Sequence, residues 1–212
     1  MAYSVKEVFL TLQGEGAQAG RAAVFCRFTG CNLWSGLEKD RATAACRFCD
    51  TDFRGTDGPG GGRFRDAHAL ADHVDATWRA EARGGRPYVV FTGGEPTLQL
   101  DAALVEACHA RGFEVALETN GTRPLPPGVD WVCVSPKPRS ELVVRGGDEL
   151  KLVHPQDELP PSMFEDLSFD HFFLQPMDGP SREANTAAAV AWCRRNPRWR
   201  LSLQTHKLLG IP

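Results

Sequence analysis

No stretch of this sequence approaches the ~20 consecutive apolar residues that a bilayer crossing takes, which excludes a membrane-spanning helix. The opening residues, Met1 to Leu10, hold no basic segment followed by an apolar one, so no secretory signal is expected and the protein is expected in the cytoplasm. An excess of either charge is missing too. Against 27 Asp and Glu stand 24 Lys and Arg, a net charge of −3, which gives no footing for nucleic acid or an anionic membrane. Lysine is scarce at 5 residues against 19 Arg, so Lys137, Lys151 and Lys207, each at or near an expected strand end, draw notice. No GxGxxG, P-loop, HExxH or GxSxG motif occurs, and no internal repeat or long low-complexity tract.

What is present is a chain of 212 residues, 42% hydrophobic and 24% charged, which fits one globular domain over 1–212 with a substantial core. Strand and helix patterns alternate. Strands are expected at Ala22–Phe28, Pro87–Phe91, Phe113–Leu117, Trp131–Val134, Leu150–Val153, His171–Leu174 and Arg200–Gln204. Helices are expected at Asp66–Arg83, where Leu70, Val74 and Trp78 recur at helical spacing, at Asp101–Arg111 and at Arg182–Arg195. Asp101 reads as an N-cap, with Leu100 and Val105 placed as a hydrophobic staple. Gly55–Gly62 reads as a flexible loop. The order implies an α/β fold with a mostly parallel sheet and outer helices. A closed eight-unit barrel usually takes about 250 residues, so an incomplete barrel of TIM type, open along one side, fits this length better.

Polar residues, Gly and Pro gather after the strands, where such barrels place their chemistry. Cys31 follows the first strand, Thr92-Gly93-Gly94-Glu95-Pro96 the second, and Glu118-Thr119-Asn120-Gly121 the third. Ser135-Pro136-Lys137, Gln175-Pro176 and Thr205-His206-Lys207 follow later ones. Seven cysteines, an odd number, argue against a disulfide framework and toward metal or catalytic use. Cys31, Cys46 and Cys49 sit on one loop over 29–53. Their thiolates suit an iron–sulfur cluster with one iron left open, or zinc with Cys26 as fourth ligand. Cys26 lies mid-strand between Phe25 and Arg27, a poor position for reaching that loop; burial is expected for it and for Cys108, Cys133 and Cys193. Arg27 then faces inward and offers a planar fork to a carboxylate. His68 and His73 are expected to face solvent, and His109, His154 and His171 have no evident partner.

The cysteine loop, with Phe48 before its last cysteine, and the Gly-Gly-Glu-Pro turn together resemble the radical S-adenosylmethionine (SAM) superfamily. Fourteen residues between Cys31 and Cys46 depart from the superfamily's three, so Asn32 to Ala45 are expected to loop out. Leu12-Gln13-Gly14-Glu15-Gly16, Arg27, Cys49-Asp50-Thr51, Ser135-Pro136-Lys137, Gln175-Pro176 and Gln204-Thr205-His206-Lys207 extend the likeness over nearly the whole chain. They resemble the 7-carboxy-7-deazaguanine synthase family.

That resemblance implies a [4Fe-4S] cluster on the three cysteines, with SAM chelating the fourth iron. The implied reaction converts 6-carboxy-5,6,7,8-tetrahydropterin to 7-carboxy-7-deazaguanine with loss of ammonia, begun by a SAM-derived radical that takes the hydrogen from C6. It implies SAM contacts at Phe48, Asp50, Gly93, Gly94, Glu95, Glu118, Asn120, Ser135, Lys137, Gln175 and Pro176. Substrate contacts would come from Leu12, Gln13, Gly14, Glu15, Arg27, Thr92 and His206, with Mg2+ at Thr51. No side chain is expected to act as acid or base in the hydrogen abstraction. A flavodoxin or ferredoxin is the implied electron donor, and a homodimer is favoured. The carboxylate of Pro212 is expected to fold back onto the guanidine-like edge of the pterin. The alternatives are a glycyl-radical-activating enzyme of the same superfamily and a non-enzymatic four-cysteine zinc module.

Overall fold

A computed structural model describes residues 2–212; Met1, the first residue of the stretch judged not to be a signal, lies outside them. The strands are β1 (Tyr3–Leu12), β2 (Ala22–Phe28), β3 (Gly62–Phe64), β4 (Tyr88–Gly93), β5 (Glu114–Thr119), β6 (Trp131–Val134), β7 (Gly146–His154), β8 (Ser168–Pro176) and β9 (Trp199–Leu201). They form one sheet in the order β3-β1-β2-β4-β5-β6-β7-β8-β9. From β2 to β9 every pairing is parallel, whereas β1 runs antiparallel to both β2 and β3. Among the described residues no ladder joins the edges β3 and β9, so the barrel is open, as its length implies.

Alternation along the strands gives each face its character. Val24, Cys26 and Phe28 of β2, Val89 and Phe91 of β4, and Val115 and Leu117 of β5 point outward. There they form a core with Leu70, Val74 and Trp78 of helix α1 (Ala67–Glu81) and Leu104, Val105 and Cys108 of α2 (Ala102–His109). Each large aliphatic side chain buried this way contributes about 1.5–3 kcal/mol. A second outer core joins Leu150 and Leu152 of β7, and Phe172 and Leu174 of β8, to Ala189 of α3 (Arg182–Arg195). The expected cap at Asp101 is in place, and Asp66, anticipated only as a helix start, caps α1 in the same way. Asp66 accepts from Ala69 N at 2.8 Å, and Asp101 from Leu104 N at 3.0 Å, with Tyr3 Oη adding a 2.7 Å bond to the latter carboxylate.

Several expectations need correction. β1 and β3 were not anticipated. Gly55–Gly62 is tied to β1 by Gly58 N–H to Lys6 O at 3.0 Å and Val8 N–H to Pro59 O at 2.8 Å, so it is no free loop. The last strand ends at Leu201, and a short helix α4 (Thr205–Leu209) carries Lys207, which therefore lies at no strand end. Lys151 sits in the middle of β7 and is 4% exposed. Asn32 to Ala45 do not loop out but fold back through a 3-10 helix at Glu38–Thr43, with Trp34 and Ala44 packed on Phe53. His73 packs against Phe64 (ring centroids 5.2 Å) instead of facing solvent, and His109 has a partner in Asp130 at 2.8 Å.

Candidate active site

The C-terminal strand ends surround a cleft of about 870 Å3, within the range of small-molecule sites. Phe25 lines it and packs on a buried apolar cluster of Ala23, Tyr88, Val90 and Ala116, with Trp131 beside them. On one wall, Thr92, Gly93 and Gly94 follow β4. Gly93 has φ 130°, a region closed to other residues, and a side chain there would collide with Phe28 O. Gly94 N–H is given to Phe28 O at 3.4 Å and Glu95 N–H to Gly30 O at 2.9 Å. With those donors used, the turn suits a ligand group that brings its own N–H. Glu95 is fully buried and does not line the cleft. Its Oε1 accepts from Thr97 N, Thr97 Oγ1 and Thr119 Oγ1, and its Oε2 from Asn120 N at 2.8 Å, so it clamps the β4 turn to the end of β5.

Cys46 and Cys49 line the cleft, and Cys31 lies on the adjoining turn, against Gly94. The Cys46 thiol donates a hydrogen bond to the Cys49 sulfur, which pulls Cys49 down to a pKa of about 6 and, with burial, pushes Cys46 up. Trp34, Ala44 and Phe53 give Cys31 and Cys49 an apolar backing. Among the described residues no three His, Cys, Asp or Glu converge as ligands of a single ion. A single zinc needs its ligands about 2.3 Å from one centre, while a four-iron cluster spreads its thiolates around a cube. Cys26 is wholly buried in the outer core beside Cys108, away from the loop, and burial pushes its thiol well up. With Cys26 out of reach the loop offers three thiols, a donor set that suits a cluster with one iron left open and not the four-cysteine zinc module.

The opposite wall is charged. Lys151 Nζ meets Glu15 Oε2 at 2.6 Å and Glu118 Oε2 at 3.3 Å. Gln13 Nε2 donates to Glu118 Oε1 at 2.9 Å, and Gln204 Nε2 to Glu15 Oε1 at 3.1 Å. Burial opposes the charge on Lys151, but the acidic groups of Cys133, Glu118, Glu15 and Glu149 hold its pKa well above the ordinary lysine value. Burial likewise opposes charge on Glu15, and Lys151 overcomes it, leaving that carboxyl below its usual range. Below this layer Glu149 Oε2 accepts Ala17 N–H at 2.8 Å. A side chain at Gly16 (φ 66°) would strike the Glu149 carboxylate. Gln175 Oε1 accepts from Ser202 Oγ at 3.0 Å, and Pro176 lines the rim above it.

Around the mouth, Lys137 Nζ donates to Ser135 Oγ at 2.6 Å and Ser135 O at 2.9 Å, 6.0 Å from the Phe48 ring. Lys207 bridges Asp50 and Asp178, each at 2.6 Å. Thr51 lines the cleft between Asp50 and Asp52, and Asp52 is paired with Lys6 at 2.9 Å. Arg27 faces the cleft as its parity implies, its Nε 2.7 Å from Glu7 Oε1. Leu12 and Thr92 line it too, and the His206 ring packs over Gly14 closely enough that a side chain there would collide. Pro212 folds back onto β1, its backbone oxygen accepting from Thr11 Oγ1 at 2.9 Å.

All the residues anticipated for cofactor or substrate therefore line one cleft except Cys31 and Glu95, which stand directly behind it. Missed were Lys151 as the hub of the interior, and Lys6 and Glu7 of β1. The alternation of Glu149, Lys151 and Val153 with Leu150 and Leu152 was the signal for the first. Among the described residues no helix is long and apolar enough to cross a membrane.

A sequence profile of the radical SAM superfamily matches residues 40–135. A protein of Bordetella pertussis named 7-carboxy-7-deazaguanine synthase is 68% identical over 212 residues, covering all of both chains. One of Bradyrhizobium diazoefficiens with the same name is 63% identical over 211 residues, again over the whole of each. Among solved structures, the crystal structure of QueE from Escherichia coli matches with a TM-score of 0.67 at 26% identity, covering 96% of this chain and 94% of that one.

Proposed function

This chain belongs to the 7-carboxy-7-deazaguanine synthase family of radical SAM enzymes, and from that premise we propose how its residues divide the work. The reaction is the conversion of 6-carboxy-5,6,7,8-tetrahydropterin to 7-carboxy-7-deazaguanine with loss of ammonia, a carbon–nitrogen lyase step toward deazapurines such as the queuosine precursor. The glycyl-radical-activating alternative falls with the family assignment. The observation that carries the reading is the meeting of the Cys31–Cys46–Cys49 turn with the Gly93-Gly94 turn at one mouth of a single cleft.

Cys31, Cys46 and Cys49 would hold the [4Fe-4S] cluster. With SAM bound, that pair supplies the radical that takes a hydrogen from the substrate carbon. The Gly93-Gly94 turn receives SAM's amino group, Lys137 and Ser135 its carboxylate, and Asn120, Glu118, Gln175 and Pro176 its ribose and adenine, with Phe48 and Asp50 closing over it. Glu95 fixes the turn from behind. Arg27 offers its unpaired guanidinium nitrogens to the substrate carboxylate. Gln13 and Glu15 meet the pterin edge, flanked by Leu12, Gly14, Thr92 and His206, and the Pro212 carboxylate faces its guanidine-like end. Thr51 contributes one oxygen to Mg2+. Asp50 and Asp52 beside it already pair with Lys207 and Lys6, so a Mg2+ held there would draw its other ligands from substrate and water. The chain acts as one domain with its cluster loop at 29–53, in the cytoplasm, reduced by a flavodoxin or ferredoxin. A homodimer is favoured because the barrel is open along one side, a flank that a second copy would cover.

Anaerobic reconstitution should give about four irons and four sulfides per chain and turnover of the carboxytetrahydropterin with SAM. One zinc and no visible absorbance would sink the proposal.

A further inference from the structure

The fourteen residues Asn32 to Ala45 between the first two candidate cluster ligands are built into the site. Asn32 anchors their start, donating from Nδ2 to Thr122 Oγ1 at 2.8 Å and accepting at Oδ1 from Asn120 Nδ2 at 3.0 Å. From the 3-10 helix in their middle, Arg41 turns back to the cysteine turn. Its Nη1 donates to the backbone oxygens of Arg47 at 2.9 Å and of Cys49 at 3.0 Å. Its Nε donates to both carboxylate oxygens of Glu38, at 2.9 and 2.7 Å. The guanidinium lies 4.1 Å over the Trp34 ring, and Trp34 meets Phe53 edge-on at 5.6 Å. A second cavity of about 310 Å3 lies beside this assembly, with Glu38, Arg41 and Cys49 on its walls, and it shares Cys49, Asp50, Thr51 and Asp52 with the main cleft.

Only a planar guanidinium reaches two carbonyls, a carboxylate and an aromatic face at once; a lysine ammonium has no such fork. The arrangement is directional. The delocalised guanidinium charge is brought to the cysteine turn by Nη1, while the neutralising carboxylate sits on Nε. The Arg41 side chain is 29% exposed and that of Glu38 78%, so solvent screens the carboxylate more than the guanidinium. Net charge and hydrogen bonding near a cluster set its reduction potential.

We propose that Arg41 is a positioning residue for the iron–sulfur cluster: it clamps the Cys46–Cys49 turn by two carbonyls and raises the cluster's reduction potential, with Glu38 opposing that rise. This rests on the reading that Cys31, Cys46 and Cys49 hold the cluster. The added electron makes the cluster more negative, so a nearby positive charge favours the reduced state.

The test is a redox titration, followed by electron paramagnetic resonance, of the reconstituted full-length protein and its Arg41→Gln, Arg41→Lys and Glu38→Gln variants, each with iron counted. Arg41→Gln should make reduction about tenfold less favourable, a midpoint lower by about 59 mV. Glu38→Gln, at an exposed position that leaves the fold alone, should move the midpoint upward, and Arg41→Lys should fall between Arg41→Gln and the unsubstituted protein. Opposite shifts support the proposal, because a purely structural strut would not reverse sign. Unmoved midpoints in Glu38→Gln and Arg41→Gln, or shifts in the same direction, overturn it while leaving the cluster assignment standing. So does loss of iron in Arg41→Gln alongside an unmoved Glu38→Gln midpoint. No iron in the unsubstituted protein overturns both.

Discussion

Along β7, Leu150 and Leu152 point outward into the helix-covered core, while Glu149 and Lys151, one residue away, point inward, Lys151 lining the cleft and Glu149 buried below it. The same division repeats on β5, with Val115 and Leu117 outside and Glu118 inside, and on β2, with Cys26 outside and Arg27 inside. Outside, side chains gain by leaving water and any close-fitting hydrocarbon serves. Inside, charges are tolerated only because each has a partner, so identity and position both matter. Both faces contribute to stability, but only the inner face carries the chemistry, through residues that differ by one step along the chain.

The sharpest way to break that contrast uses cysteines from the two faces. Cys46→Ala should abolish iron loading and turnover while the protein stays folded. Cys108→Ala, in the outer core, should cost about 1 kcal/mol by denaturant unfolding and leave iron and turnover unchanged. Iron loss in the second variant would mean that the faces are not separate.

Neighbours on β7 give the next largest effect. Lys151→Met strands Glu15 and Glu118 without their cation and should cost about 3–5 kcal/mol, with KM for the pterin raised in the folded fraction. Leu150→Ala should cost about 2–5 kcal/mol with KM unchanged in its folded fraction. Equal KM values would refute the division. The Lys151 contribution also has a defined pH window. Glu15, held below its usual range, stabilises above its unfolded pKa near ~4.3, and that is lost as pH falls through the folded value. Lys151, held above its usual range, stabilises fully below ~10.4, and that is lost as pH rises through the folded value. The stability gap between the unsubstituted protein and Lys151→Met should therefore be flat across neutral pH and shrink in acid. The smallest effect belongs to the outer layer alone. Asp101→Ala, removing the α2 cap, should cost about 1 kcal/mol with no change in turnover.

Parity was legible in the sequence where a strand was long and regular. On β2 it placed Cys26 and Arg27 on their correct faces, which weighed against zinc with Cys26 as a fourth ligand. The motif-bearing turns were legible because Gly93, Gly94 and the thiols carry requirements that few other residues satisfy. β1 was not, because its register shifts between Val5 and Glu7 and breaks the two-residue period, which hid Lys6 and Glu7. β3, three residues at the end of a glycine-rich run, and α4, five residues long, are too short for any period to show. Lys151 was placed near a strand end because β7 was expected to span only Leu150–Val153 and in fact runs Gly146–His154.

The open edge of the sheet has a consequence for how the molecule breathes. Where β3 and β9 fail to meet, the gap is crossed by Thr205 N–H to Gly14 O at 3.0 Å, Thr205 Oγ1 to the same oxygen at 2.9 Å, and Gly16 N–H to Ser202 Oγ at 3.0 Å. Each is worth about 0.5–1.5 kcal/mol, and none belongs to a strand ladder, so parting this seam exposes no buried strand. The amide protons of Gly16 and Thr205 should therefore trade with deuterated water long before those of Val90 and Leu117 in the β4–β5 ladder. Gln13 and Glu15 stand on one lip of the seam and His206 and Pro212 on the other. Slowed exchange at Gly16 and Thr205 on adding the pterin would record the two lips being drawn together around it.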